Sequence, residues 1–171
     1  MATKIIFLDI DGVLNCTSST SKCTLIEERR EITGIDSDKL KRLKRIVADT
    51  GAIIVLTSSW KIGWERFDKE HQWSHARYMD KKFDKYGMRI YDKTYEKYES
   101  KRGTGIKDWL KEHFAEDEHP IWIILDDDAD KVFDYDMDML SHLIQTKQSK
   151  GLTDKDADLA IELLKGDSDG S

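Results

Sequence analysis

Three places in the sequence set oxygen-rich residues directly after an apolar run. "KIIFLDIDG" (4–12) ends in Asp9 and Asp11, one residue apart, and then Gly12. "AIIVLTSS" (52–59) ends in Thr57, Ser58 and Ser59. "IWIILDDDAD" (121–130) ends in Asp126, Asp127 and Asp128, with Asp130 close behind. A short apolar run that stops in turn residues reads as a buried strand. Carboxylates gathered at strand ends repel one another unless a cation joins them. Magnesium suits such a group, because it is hard, prefers oxygen ligands and keeps some of its waters. The D-x-D spacing also has a use. Alternate residues of a strand point the same way, so one carboxylate can face a substrate while the other sits just beyond it. One can act as nucleophile and the other as acid–base partner. Gly12 allows a sharp turn and lets a phosphate approach backbone N–H groups.

These residues act together only if the intervening elements bring them to one place. "IDSDKLKRLKRIVADTG" predicts a helix with Leu40, Leu43, Ile46 and Val47 inward, capped by Asp36 or Ser37 and stopped by Gly51. "GIKDWLKEHF" predicts another, with Ile106, Trp109 and Leu110 inward. "LTDKDADLAIELLKG" predicts a third, with Thr153 and Asp156 spaced as a capping box and Gly166 as its stop. "SHLIQTK" is a further strand candidate, and residues 12–36 read as a long loop or small flap. Buried strands alternating with helices give an α/β fold with a parallel sheet and helices on both faces. Ligands bind outside the carboxyl ends of such strands, so the three polar clusters are expected at one edge.

Residues 60–102 differ in kind. They hold 10 of the 16 aromatic residues and carry 12 Lys+Arg against 8 Asp+Glu, so a basic, aromatic segment sits in an otherwise acidic chain. Helical pieces are expected near 61–72 and 75–86, and "MRIY" reads as a short strand. Trp60, Trp64, Trp73 and Tyr78 have two readings: the core of a small helical cap, or a site mouth. In the second, aromatic faces beside Lys61, Arg66 and Arg77 suit a nucleobase next to a phosphate chain.

A chain of 171 residues is enough for one domain. The expected division is a core of about 1–59 and 101–166, a cap-like insert of about 60–100, and a fraying tail, 167–171. A net charge of −6 excludes a nucleic-acid binder held by bulk charge. No apolar stretch approaches the roughly 20 residues that span a bilayer. Cys16 and Cys23 are too few for a disulfide framework. With no signal-peptide pattern before the first strand, the expectation is a cytoplasmic protein. The histidines lack zinc spacing, "DKVFDYDMD" lacks the glycine and glutamate of an EF-hand, and no GxxxxGK[ST] loop is present.

"FLDIDGVLN" resembles motif I of the haloacid dehalogenase (HAD) superfamily of phosphotransferases, "IVLTSSW" its motif II and "IILDDDAD" its motif IV. The wider pattern "SSW…RGxxIxxWL…ILDDDxD…HLIxT…GLTxxDxxxAIxLL" resembles the HAD domains of RNA-repair proteins, relatives of polynucleotide 3'-phosphatases. The resemblance spans residues 4–165. It implies a Rossmann-like HAD fold with a small insert after motif II. It implies Asp9 as the nucleophile that forms an aspartyl-phosphate, and Asp11 as the general acid–base, whose backbone carbonyl also binds Mg2+. Asp126 and Asp127 complete the metal site, with Asp128 or Asp130 behind them. Thr57 or Ser58 binds the phosphoryl group, and Arg102 supplies the motif III cation, with Lys101 and Lys107 as alternatives. The implied activity is Mg2+-dependent hydrolysis of a phosphomonoester, on a nucleic-acid or nucleotide 3'-phosphate. The alternatives are a 5'-nucleotide or small-metabolite phosphatase, and a binding module that keeps the fold without turnover.

Overall fold

A computed structural model describes residues 1–98, 101–132 and 137–166. The elements follow one another as β1 (Lys4–Leu8), β2 (Lys22–Leu25), β3 (Arg30–Thr33), α1 (Ser37–Thr50), β4 (Ile53–Leu56), α2 (Ser74–Lys85), β5 (Ile90–Lys93), α3 (Arg102–His113), β6 (Ile121–Asp126), the short α4 (Ala129–Val132), β7 (Leu143–Gln145) and α5 (Asp154–Lys165). Five strands form a parallel sheet in the order β5-β4-β1-β6-β7. β2 and β3 form a separate antiparallel hairpin.

Alternation along β1 assigns the two faces. Ile6 and Leu8 join a large apolar cluster with α1, α2 and α5, including Leu43, Met79, Phe83 and Ile161. Ile5 and Phe7 point the other way, to Ile106 and Trp109 of α3 and Trp122 of β6. Trp109 and Trp122 meet the Phe7 ring edge-on at 5.6 and 5.8 Å, a favourable arrangement of ring quadrupoles. α3 is thereby anchored with its N-terminus at the carboxyl edge of the sheet. The helix signals operate as expected at α5, where Thr153 and Asp156 form a reciprocal capping box, and at Gly51, whose φ of 71° closes α1. Asp36 precedes α1 without capping it. Its carboxylate instead accepts the Ser19 and Ser21 hydroxyls and pairs with Lys39.

The flap expected within 12–36 is the β2–β3 hairpin. Cys23 and Leu25 face inward while Lys22 and Thr24 face out. The expected helix near 61–72 is absent. The chain there makes 3₁₀ turns at Ser59–Lys61 and Lys69–His71. Gly63 breaks any helix with a φ of 83°, and a Cβ there would collide with the Trp73 ring. The segment expected as a cap-like insert is woven into the domain. β5 pairs with β4 as an edge strand, and Trp64, Met79, Phe83 and Ile90 belong to the same buried cluster as Ile54 and Leu56. The expected tail, 167–171, and part of "DKVFDYDMD" lie outside the described residues.

Candidate active site

Strand register decides which polar residues become neighbours. Leu8 pairs with Leu56 on one side and Leu125 on the other. The next residues, Asp9, Thr57 and Asp126, therefore emerge from β1, β4 and β6 at one level. The ladder continues through them: Asp9 N–H donates to Leu125 O and Thr57 N–H to Leu8 O, both at 2.9 Å. Asp9 stands between the other two because β1 is the central strand.

Asp9, Asp126 and Asp127 bring carboxylate oxygens within 4.8 Å of one another. Arg102, in the first turn of α3, is 5% exposed. Its Nη1 lies 2.6 Å from Asp126 Oδ2 and 3.1 Å from Asp9 Oδ2. Burial pushes the Asp9 carboxyl well above its ordinary value of 3.8, and the neighbouring Asp126 pushes further, against a smaller opposing effect of Arg102. Burial also raises Asp126, with Arg102 again opposing. Burial disfavours the Arg102 charge, but Asp9 and Asp126 outweigh it and hold its pKa above the usual guanidinium value. Three carboxylates against one guanidinium leave an excess of negative charge in a nearly closed space. That donor set, all hard oxygens, fits a magnesium ion. Lys101 is exposed at the start of α3, and Lys107 lies over the Trp122 ring at 5.5 Å. Of the three candidate cations, the geometry brings Arg102 to the carboxylates.

Thr57 and Ser58 also separate. Thr57 Oγ1 is buried and has no hydrogen-bond partner among the described residues, a state that costs about 1–3 kcal/mol. Ser58 is already engaged: its hydroxyl accepts from Trp60 N–H at 3.1 Å and caps the Ser59–Lys61 turn. Asp128 likewise has local work, since its carboxylate accepts Asp130 N–H at the start of α4 and its own N–H donates to Asp126 Oδ1 at 2.9 Å.

Gly12 differs from expectation. Its N–H donates to Asn15 Oδ1 at 2.9 Å, so it is not free for a phosphate. Its φ is 80°, and any Cβ would collide with the Asp127 carboxylate. Glycine is required here so that Asp127 can approach the cluster.

Asp11 stays outside the cluster and is exposed. Both its oxygens are gripped, Oδ1 by Asn15 Nδ2 at 2.9 Å and Oδ2 by Trp60 Nε1 at 3.2 Å. Asn15 also donates to Gly34 O, at the base of the hairpin. His75 meets the Trp60 ring edge-on, and its Nε2 lies 3.0 Å from Trp60 O. Sequence reasoning did not single out Asn15 or assign Trp60 this role. The available signal was their place within the motifs, four residues after Asp11 and three after Thr57. Asp11 lines a cavity of about 760 Å3 beneath the hairpin, whose other walls include Trp60, Trp73, His75, Glu27, Lys22 and Arg30. The hairpin is pinned there: Glu27 accepts the backbone N–H and hydroxyl of Ser74, the first residue of α2.

A family model of the HAD domain in Swiss Army Knife RNA repair proteins matches residues 5–157. The chain belongs to this family. The match takes in all three strand ends of the HAD domain, with Arg102 and the hairpin between them. No curated protein and no solved structure was found that matches this HAD domain. Among its described residues, no helix is long and apolar enough to cross a membrane.

Proposed function

We propose that the protein is a magnesium-dependent phosphatase that hydrolyses phosphomonoesters through an aspartyl-phosphate on Asp9. The observation that carries this reading is the meeting, at one level of the sheet, of Asp9, Asp126 and Thr57, with Asp127 and Arg102 alongside. An Asp9 oxygen attacks phosphorus in line, and the bond from phosphorus to the leaving oxygen breaks as Asp11 donates a proton to that oxygen. Water then attacks the aspartyl-phosphate and loses a proton to Asp11. The bond from phosphorus to Asp9 breaks, which frees phosphate and restores the Asp9 carboxylate and the protonated Asp11. Arg102 and the unpartnered Thr57 hydroxyl hold the non-bridging oxygens. Asp9, Asp126, Asp127 and the Asp11 backbone carbonyl would hold Mg2+, which neutralises phosphoryl charge when bound. Asp11 borders the aromatic-walled cavity beneath the hairpin, which would receive the leaving group that Asp11 protonates.

The family supports an RNA-repair setting, and a 3'-phosphate on a nucleic-acid end is the substrate we assign. A hydrolysis screen with Mg2+ tests both levels, comparing 3'-phosphorylated oligonucleotides, 3'- and 5'-mononucleotides, sugar phosphates and an aryl phosphate. Turnover of any of them should vanish with EDTA and fall at least about 10²-fold in Asp9→Asn, within the range of positioned catalytic groups. Turnover in Asp9→Asn near the wild-type rate would exclude the mechanism. A preference for sugar phosphates would exclude the substrate.

A further inference from the structure

Apart from Arg102, the basic charge of residues 60–102 does not gather at the carboxylate cluster. Much of it lies on the flank of the molecule. Arg77 and Lys81 are one turn apart on the exposed face of α2, Arg89 precedes β5, and Arg66 sits in the loop between β4 and α2. All four line a groove of about 670 Å3 between α2 and the outer edge of β5. One of its two acidic residues is already engaged. Asp80 accepts from Trp64 Nε1 and Gln72 Nε2 and pairs with Lys69. That leaves Asp84 facing four cations. None of the four forms an ion pair among the described residues. In a chain of net charge −6, such a concentration of unpaired cations marks a surface complementary to an anion.

A second, independent feature concerns shape. The Arg66 guanidinium lies over two rings, 4.1 Å from the Tyr91 centroid and 4.9 Å from that of Phe67. Two such cation–π contacts hold the guanidinium in place. Phe67 itself is 86% exposed. A large apolar ring open to water beside unpaired cations is a platform for a base. A repeating anion with flat rings satisfies both features. An acidic peptide satisfies only the first. The groove is separate from the reacting carboxylates but not remote from them. Thr94, just past β5, continues the ladder to Leu56 at the carboxylate edge. Tyr91 is three residues earlier, roughly 10 Å below that level at the usual rise per strand residue.

We propose that this groove binds single-stranded nucleic acid, with Arg66, Arg77, Lys81 and Arg89 on phosphates and Phe67 stacking a base. Its link to turnover rests on the phosphatase reading above, because the groove would hold the strand whose end is at Asp9. Binding itself does not depend on that reading.

The test uses fluorescence anisotropy with a labelled, unphosphorylated oligoribonucleotide of about 12 residues, so no turnover is involved. In Arg77→Gln/Lys81→Gln, affinity at low salt should fall about tenfold or more. The slope of log K against log salt should flatten by about 1.4, at about 0.7 per phosphate contact on a single strand. Phe67→Ala should weaken binding about fivefold or more, the low end for one base–aromatic stack, and leave the salt slope unchanged. Both variants should keep wild-type hydrolysis of a small aryl phosphate. For a 3'-phosphorylated oligonucleotide they should raise KM with little change in kcat. Unchanged oligonucleotide binding in both variants overturns the proposal. So does equal displacement of the oligonucleotide by polyglutamate and by a competing RNA, combined with no effect of Phe67→Ala. Binding through these residues by a protein that hydrolyses no phosphate ester would sink the phosphatase reading and leave the groove standing. Hydrolysis with binding indifferent to these substitutions would do the reverse.

Discussion

Around Asp9 the protein is closed and charged. The carboxylate is 3% exposed, shares Arg102 with Asp126, and is shifted upward by its own burial. Around Asp11, one residue further along, it is open and held by neutral groups. Asn15 and Trp60 each donate to one oxygen, and the carboxylate borders a cavity. The contrast follows from strand geometry. Asp9 is the last residue to bond into the ladder with β6, whereas Asp11 lies in the turn beyond it. A buried charge needs an opposite charge as well as hydrogen bonds to offset its desolvation. An exposed one can be positioned by modest hydrogen bonds. The inner region is suited to holding a phosphoryl group and a metal. The outer one is suited to passing protons to and from a leaving group and water.

The largest effect should come from breaking the inner region. Arg102→Met leaves Asp9 and Asp126 buried without their shared cation. We expect turnover to fall at least about 10²–10³-fold and the metal-free protein to lose about 3–5 kcal/mol of stability. Mg2+ should restore part of that stability, measured by denaturant unfolding with and without EDTA. An unchanged unfolding midpoint in EDTA would mean that Arg102 does not balance the cluster.

Thr57→Val should reduce turnover about 10²-fold, as removal of one transition-state donor does, without loss of stability, because the hydroxyl has no partner to lose. Ser58→Ala should behave oppositely. It loses a cap worth about 0.5–1 kcal/mol and leaves turnover nearly intact. Equal kinetic losses in the two variants would show that the unpartnered hydroxyl is not the phosphoryl ligand.

The pH dependence sharpens the comparison further. Folding raises the pKa of Asp9 and Asp126, so the metal-free folded state binds more protons than the unfolded chain. Stability must then fall as pH rises from about 4, the ordinary carboxylate value, through the higher folded-state values. Asp9→Asn removes one of these two groups. In EDTA, its stability relative to wild type should grow as pH rises above about 4, the ordinary carboxylate value, and Mg2+ should stabilise wild type increasingly in the same direction. Parallel pH profiles for the two proteins would contradict the buried-charge account.

The smallest effect is expected in the outer region. Trp60→Phe removes one donor to Asp11 and should slow turnover about tenfold or less, a loss of about 1.4 kcal/mol. The loss should be greater for an alkyl phosphate than for an aryl phosphate, because the better leaving group needs less help from the proton. A uniform loss on both would make Trp60 a packing residue.

Much of this arrangement was legible in the chain itself. The apolar runs before Asp9, Thr57 and Asp126, the periodic faces of α1, α3 and α5, and the stops at Gly51 and Gly166 are local patterns, set by short-range sterics and burial. Parallel strands joined by helices then leave the carboxyl ends of the strands on one edge. Other features depended on contacts between residues distant in sequence. Register alone set Asp9, Thr57 and Asp126 at one level, and the rotation of α3 about its axis brought in Arg102 rather than Lys101 or Lys107. The demand of Asn15 on the Gly12 N–H, the grip of Trp60 on Asp11, and the incorporation of β5 into the sheet are of the same kind. No periodicity encodes them, since each is decided by how finished elements pack together. The hairpin was hidden for another reason: four-residue strands with one polar face carry too short a pattern to stand out from a loop.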